Sequence, residues 1–262
     1  MRALLAPLAS VLTSGVLLLL VWIGFLRVFH VNPLIGQPPS AVAHYLLAGP
    51  AAAHHRLALW RSLSATLGHA GLGFVVGLLL GACAAVAFEL SPALRRALMP
   101  VATILRSVPL VALTPLIVLL FGRGLAAICV IGAIITFFPT LVTLSLGLRS
   151  APPLAGELVR AYGGGRWTVL RRIQLPSAAG ALFASMRLSV PQALVAALLA
   201  EWLATGNGLG YRLQRDITTF RSVDLWSGVV VLTLCSVILY GALGLIEEIV
   251  LTLRNGGTRR VR

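Results

Sequence analysis

Apolar residues along this chain gather into six runs of about 20 residues, the length a helix needs to cross the hydrocarbon core of a bilayer. The runs cover roughly residues 11–29, 62–88, 101–121, 126–148, 179–205 and 226–249. They predict an all-α, polytopic membrane protein with about six transmembrane helices. His30, Val31, Asn32 and Pro33 follow the first run without a small-residue cleavage site, so it reads as an uncleaved anchor. Residues 31–61 are mixed, with Pro38, Pro39 and Ser40 leading into a helix-like A-V-A-H-Y-L-L. The second run carries Gly73, Gly77 and Gly81, two overlapping G-x-x-x-G spacings that let helix backbones approach closely. A polar loop over 89–100, with Arg95 and Arg96, is expected before the third run. That run contains Arg106, Ser107, Pro109 and Pro115, and proline inside a helix removes a hydrogen bond that lipid cannot replace. The fifth run holds Arg187, Gln192 and Glu201. A buried Glu201 would mark a path through the membrane, whereas a position near the span end makes it a solvated carboxylate beside Trp202.

The longest polar interruption is Arg149–Pro176, RSAPPLAGELVRAYGGGRWTVLRRIQLP. Pro152 and Pro153 open it and Pro176 closes it. Two short helical patterns flank Gly163, Gly164 and Gly165, and a positive φ is expected at Gly163. Glu157 falls in the first turn of the first pattern, where a negative charge suits the helix dipole. Leu158, Ala161 and Tyr162 share one side of it. In the second pattern Trp167, Leu170, Ile173 and Gln174 recur at helical spacing, with Arg166, Arg171 and Arg172 around them. Trp167 and Leu170 are too apolar for a solvated surface unless lipid or protein covers them.

Composition narrows the function. Of 262 residues, 58% are hydrophobic and 11% charged, against roughly 25% charged in soluble domains; the mean hydropathy is +0.96. All 21 basic residues are arginine. Without a lysine, no G-x-x-x-x-G-K-[ST] phosphate loop exists here, so any ATP that drives this protein is bound by another chain. The net charge of +14 is scattered between hydrophobic runs, which fits orientation in a bilayer better than nucleic-acid binding. With the N-terminus inside, twelve arginines fall in cytoplasmic segments against six outside. That excess favours both termini and the polar stretch on the cytoplasmic side. His54 and His55 are adjacent and diverge on a helix, and Cys83, Cys129 and Cys235 stand singly in apolar runs, so no metal site or disulfide is read from them. No H-E-x-x-H, G-x-S-x-G or carboxylate cluster offers enzyme chemistry.

Glu157, Gly163, Ile173, Leu175 and Pro176 match, at full spacing, the E-A-A…G…I-x-L-P loop of permease subunits of ABC importers. The wider string resembles the sulfonate/nitrate/taurine branch, as do P-P-S at 38–40, F-G-x-G at 121–124 and G-N-G-L-G-Y at 206–211. Leu158 and Val159 replace the paired alanines of that pattern, and Leu170 stands where phenylalanine is usual. The resemblance implies the type I importer permease fold, with an anchor and external segment at 1–60, a transmembrane domain at 61–250 and a basic cytoplasmic tail at 251–262. It implies that Glu157, Tyr162, Gly163, Arg166, Trp167, Leu170, Ile173, Leu175 and Pro176 form the coupling loop that docks on an ATPase. Arg106, Ser107, Pro109, Pro115, Arg187, Gln192 and Glu201 are the candidate path residues. The partners implied are ABC ATPase subunits holding MgATP, a second permease copy or paralogue, an extracytoplasmic solute-binding protein and the bilayer. This chain itself is expected to need no cofactor. The competing readings are a secondary transporter, which would use intramembrane acids for ion coupling, and a loop that merely rests on anionic headgroups.

Overall fold

The computed structural model describes residues 2–256, with side-chain surroundings for 13–203 and 205–253. The side chain of Arg2 and those of the tail arginines Arg254, Arg259, Arg260 and Arg262 lie outside the described residues. Helices account for nearly all of the described chain: α1 Arg2–Val28, α2 Pro39–Ala43 continuing as a wider π turn over His44–Ala48, α3 Ala52–Leu90, α4 Pro92–Arg106, α5 Leu110–Phe121 and α6 Leu125–Arg149. Then follow α7 Pro153–Ala161, α8 Arg166–Val169 with a π turn at Leu170–Gln174, α9 Leu175–Ser177, α10 Ala179–Ala204, α11 Gly208–Thr218 and α12 Ser222–Gly256. Among the described residues α3, α6, α10 and α12 are long and apolar enough to cross a membrane, and α1 contributes the shorter apolar stretch Thr13–Val28.

The third expected span is not one helix. α4 and α5 meet at a bend of 101° and count as a crossing only if taken together. Val108 precedes Pro109, whose ring bars the α conformation from the residue before it, and Pro109 itself is extended at ψ 117°. The expected polar loop at 89–100 is also largely helical. Ser91 caps α4 by accepting a hydrogen bond from the Leu94 N–H at 3.4 Å, and Pro92 occupies the first turn, where no N–H is needed. The second span likewise begins ten residues earlier than its apolar run, because α3 starts at Ala52. Its 39 residues make a rod of about 58 Å, longer than the ~30 Å hydrocarbon core.

The chain divides into two compact units, one built from residues up to Ser62 with Arg212–Leu232, the other from Leu63–Tyr211 with residues from Thr233 onward. In the first, Trp22 stacks on Trp226 at 5.0 Å, and the Trp226 indole N–H donates to the Ile35 carbonyl at 2.8 Å. Tyr45 donates its hydroxyl to Asp224 Oδ1 at 2.5 Å, and Arg212 and Arg221 donate to the same oxygen at 3.2 and 3.3 Å. Burial and the Asp224 carboxylate hold the Tyr45 phenol well above the usual tyrosine range, so it remains a donor. Burial, then the Asp224 charge, pushes the Asp216 carboxyl up despite Arg212 at 3.6 Å.

The second unit is organised by close helix contact. A Cβ at Gly73 would lie 2.7 Å from the Gly132 Cα, one at Gly77 2.5 Å from the Ala133 carbonyl, and one at Gly81 2.8 Å from the Phe137 carbonyl. The glycine spacing thus lays α3 directly on the backbone of α6 over two turns. Beyond that contact a buried cluster of Ala85, Phe88, Leu141, Leu144, Leu148, Leu170 and Ala178 closes one end of the pair. Towards the other end Ile117, Ala127, Ile128, Ile131, Ala196 and Ala200 join α5, α6 and α10.

Gly77→Leu should force α3 and α6 apart and lower stability by about 1–3 kcal/mol, whereas Gly71→Ala, with open space around it, should be nearly neutral. Thermal unfolding of the detergent-solubilised variants checks this; equal melting temperatures would remove the glycine contact from the account.

Candidate functional site

The polar stretch folds as two short helices joined by a fully bonded turn. Tyr162 ends α7, Gly163 takes φ +78°, and the Gly163 and Gly164 N–H groups donate to the Arg160 and Val159 carbonyls, each at 2.9 Å. This is the Schellman arrangement, in which a left-handed residue folds the chain back so that the last carbonyls find donors. The expectation of a positive φ at Gly163 is met. Gly164 has its own reason to be glycine, since a Cβ there would sit 2.7 Å from the Val159 carbonyl oxygen.

Two sequence expectations change. α7 begins at Pro153, so Glu157 falls in its second turn and not in the first; it is exposed, and its charge lies away from the orphan amides. Leu170 was expected on an outer face with Trp167. It is 0% exposed, seated between α3 and α6 in the cluster with Phe88, Leu141 and Leu148. Trp167 and Leu170 keep ordinary helical spacing, and the edge of the buried face falls between them; the π turn follows at Leu170–Gln174. Ile173 and Pro176 are half-buried and Leu175 is exposed. Arg166 donates to the Leu90 carbonyl at 3.3 Å, and the Gln174 amide donates to Glu89 Oε1 at 2.7 Å. Both bonds tie the second helix to the end of α3. What remains outward is a ridge of Leu154, Leu158 and Tyr162 at i, i+4 and i+8, with Trp167 across the turn, exposed by 58–86%. Leu154 was not singled out in the sequence, although its spacing from Leu158 would have revealed it.

The candidate path residues separate into three places. Arg106 and Gln192 line one cleft of about 350 Å³, walled by Leu105, Leu113, Phe138 and Pro139. Ser107 and Pro109 form the bend beside it, and Pro115 lies exposed within α5. Arg187 is elsewhere, paired with Glu247 at 3.2 Å and lying 5.8 Å from the centre of the Tyr240 ring, so it fastens α10 to α12. Glu201 is fully buried and not solvated. Its Oε1 lies 2.7 Å from His69 Nδ1, and its Oε2 accepts from the Thr66 hydroxyl at 2.9 Å and the Gly210 N–H at 2.7 Å. The Leu209 N–H donates in turn to Thr66 Oγ1 at 2.8 Å. Gly208, at φ +92°, points its Cα hydrogen where a side chain would overlap the Glu201 carboxylate. The G-N-G-L-G string therefore wraps a buried carboxylate and locks α10 to α3.

Residues 73–251, from the glycine contact through the loop and into α12, match the family described as the binding-protein-dependent transport system inner membrane component. The chain belongs to this family. It is a multi-pass membrane permease subunit of an ABC importer. A probable ABC transporter permease of Haemophilus influenzae is 30% identical over 203 residues, covering 75% of this chain and 82% of that one. The formylaminopyrimidine transport permease ThiX of Halalkalibacterium halodurans is 28% identical, covering 85% and 89%. The taurine transport permease TauC of Escherichia coli is 29% identical, covering 75% and 72%. In three dimensions the permease resembles a chain of a bacterial ABC transporter involved in alginate import, with a TM-score of 0.63 over 92% of this chain and 94% of that one at 12% identity. A chain of the inward-facing MetNI methionine transporter gives 0.61 over 78% and 99% at 19% identity.

Leu170→Ala should destabilise the permease by about 2–5 kcal/mol through the cavity it leaves, while Trp167→Ala should change stability by less than about 0.5 kcal/mol. Glu201→Ala strands the buried Gly210 N–H, at about 1–3 kcal/mol for a group left unsatisfied. Unfolding curves of the three purified variants test the assignments, and equal losses for Leu170 and Trp167 would contradict them.

Proposed function

We propose that Arg149–Pro176 couples this permease to a separate ATPase subunit, which binds MgATP and docks on the ridge formed by Leu154, Leu158, Tyr162 and Trp167. The observation that carries the reading is the exposure of these four side chains by 58–86% on an otherwise arginine-rich loop. Such a patch calls for a partner. A flexible loop could hide it; this one is held outward by the Schellman turn, the Leu170 seat and the Gln174–Glu89 bond. Glu157 and Arg166 flank the ridge as polar contacts, while Ile173, Leu175 and Pro176 return the chain to the membrane. Gly163 sets the angle between the two helices.

The ATPase lies in the cytoplasm, and so do the loop and both termini; the arginine bias supports that orientation. A second copy or a paralogue completes the translocation path, and an extracytoplasmic solute-binding protein delivers to it. The solute is a small anion or related nutrient. Arg106, Gln192 and Thr143, in one cleft walled by apolar side chains, support an anionic group on a compact body. Relatives named for taurine, aliphatic sulfonates and nitrate point the same way.

Gly163→Val puts a Cβ at φ +78°, at a cost of about 1 kcal/mol, and misdirects the second helix. Both it and Trp167→Ala should release the ATPase on co-purification and reduce uptake several-fold while the permease remains folded in the membrane. Full ATPase yield and full uptake in both would refute the docking.

In a background lacking the native cysteines, Leu154→Cys should react with an impermeant thiol reagent only from the cytoplasmic side and Phe220→Cys only from outside. Both positions are at least 76% exposed, so a reversed pattern would overturn the orientation.

A further inference from the structure

The second unit holds a roomier recess than the Arg106 cleft. It is an open recess of about 680 Å³ where the ends of α3 and α6 meet the start of α4, lined by Glu89, Arg95, Arg96, Thr103 and Arg149 with Phe88, Met99 and Pro100 as apolar wall. Arg160 and Arg166 border a smaller recess that shares Glu89 and Pro92 with it. Five arginines thus surround one carboxylate, and that carboxylate already accepts a hydrogen bond from Gln174. Among the described residues Arg95, Arg96 and Arg149 have no acidic partner. Three guanidinium groups lining one recess that holds a single carboxylate, none of them ion-paired to it, leave an excess of positive charge and of donors, which an oxyanion with several acceptors would satisfy.

The position selects the anion. α5 is apolar nearly all round and enters the hydrocarbon, and the 101° bend between the two helices lets α4 lie along the membrane surface. α4 suits that place: Leu94, Leu98, Val101 and Leu105, at i, i+4, i+7 and i+11, make an exposed apolar ridge, while Arg96 and Thr103 lie on the opposite side. Phe88 and Arg149 stand at the ends of two spans, the depth at which lipid headgroups lie. A soluble anion would need no apolar wall, whereas a phosphodiester on a glycerol backbone presents charge and hydrocarbon within one molecule.

We propose that Arg95, Arg96 and Arg149 form a binding site for the headgroup of an anionic phospholipid of the cytoplasmic leaflet. The lipid phosphate sits between the three guanidinium groups and its glycerol backbone rests on Phe88, Met99 and Pro100. The bound lipid props the start of α4 against the ends of α3 and α6, next to the seat of the Arg149–Pro176 loop. This inference rests on the cytoplasmic placement argued above, but its readout is lipid retention and does not depend on transport.

The test is native mass spectrometry of the permease–ATPase complex released from micelles containing phosphatidylglycerol or phosphatidylcholine. Wild type should retain phosphatidylglycerol roughly tenfold better than phosphatidylcholine. Arg95→Gln combined with Arg149→Gln should abolish the preference, Arg95→Lys with Arg149→Lys should restore part of it, and Arg215→Gln, on the other unit, should leave it intact. If the double glutamine variant does not fold, Arg96→Gln alone should lower the preference. Equal retention of the two lipids by wild type, undiminished retention in the glutamine variants, or complete displacement of phosphatidylglycerol by inorganic phosphate would overturn the proposal. So would glutamine variants that shed the ATPase while keeping the lipid, which would make the recess an ATPase contact.

Discussion

The contact of α3 with α6 at Gly73, Gly77 and Gly81 governs most of what surrounds it. Lipid offers no hydrophobic drive for helices to associate, so attraction must come from packing at short range. Three residues without side chains, four apart, put two backbones in direct contact along one stripe. A few turns further on, the same helices carry Phe88, Leu141, Leu144 and Leu148, and the space between them is what receives Leu170. The last residues of α3, Glu89 and Leu90, then hold Gln174 and Arg166. The surface loop is therefore fixed by the approach of two membrane helices. If α3 and α6 separate, the seat of Leu170 opens and both polar tethers lose their alignment.

That dependence bears on the proposed coupling. An ATPase gripping Trp167 and Tyr162 would act on a second helix whose inner side is Leu170. Displacement of the loop then reaches the ends of α3 and α6 through packed side chains, because a close-packed interior has little slack to absorb it. The Arg106–Gln192 cleft lies at the α4–α5 bend, and its wall includes Phe138 and Pro139 of α6. The Arg106–Gln192 cleft and the loop thus share α6. Among the described residues the 101° bend at Ser107–Pro109 supplies an abrupt change of direction within a candidate span.

Polar groups inside the membrane domain are used as fasteners. Glu201 is fully buried, accepts two hydrogen bonds and lies beside His69, and Arg187 is paired with Glu247. In a medium without water an unsatisfied carboxylate or guanidinium is costly, and these pairings offset that cost while joining α10 to α3 and α12. Arg106 differs. It is exposed at the bend, facing a cleft.

The sequence by itself determined the helical membrane class, the order of the apolar segments, the helix–glycine–helix character of Arg149–Pro176 and the positive φ at Gly163. Each follows from local rules: the length of an apolar run, the stiffness of proline, and the freedom of glycine to turn where other residues clash. The G-x-x-x-G stripe was also legible, since its spacing repeats the geometry of a helix face. Only the tertiary structure decided which side of each residue meets what. Leu170 and Trp167 both read as apolar residues on one short helix, yet one is sealed in the core and the other exposed, because the gap between α3 and α6 receives Leu170 and stops short of Trp167. Glu201 and Arg187 read as path charges until partners from distant helices, His69, Thr66 and Glu247, came within hydrogen-bonding or ion-pair distance. The gathering of Arg95, Arg96 and Arg149 around one recess is likewise invisible along the chain. Local propensity is written in neighbouring residues, but burial and charge pairing are properties of elements that meet only when the chain folds.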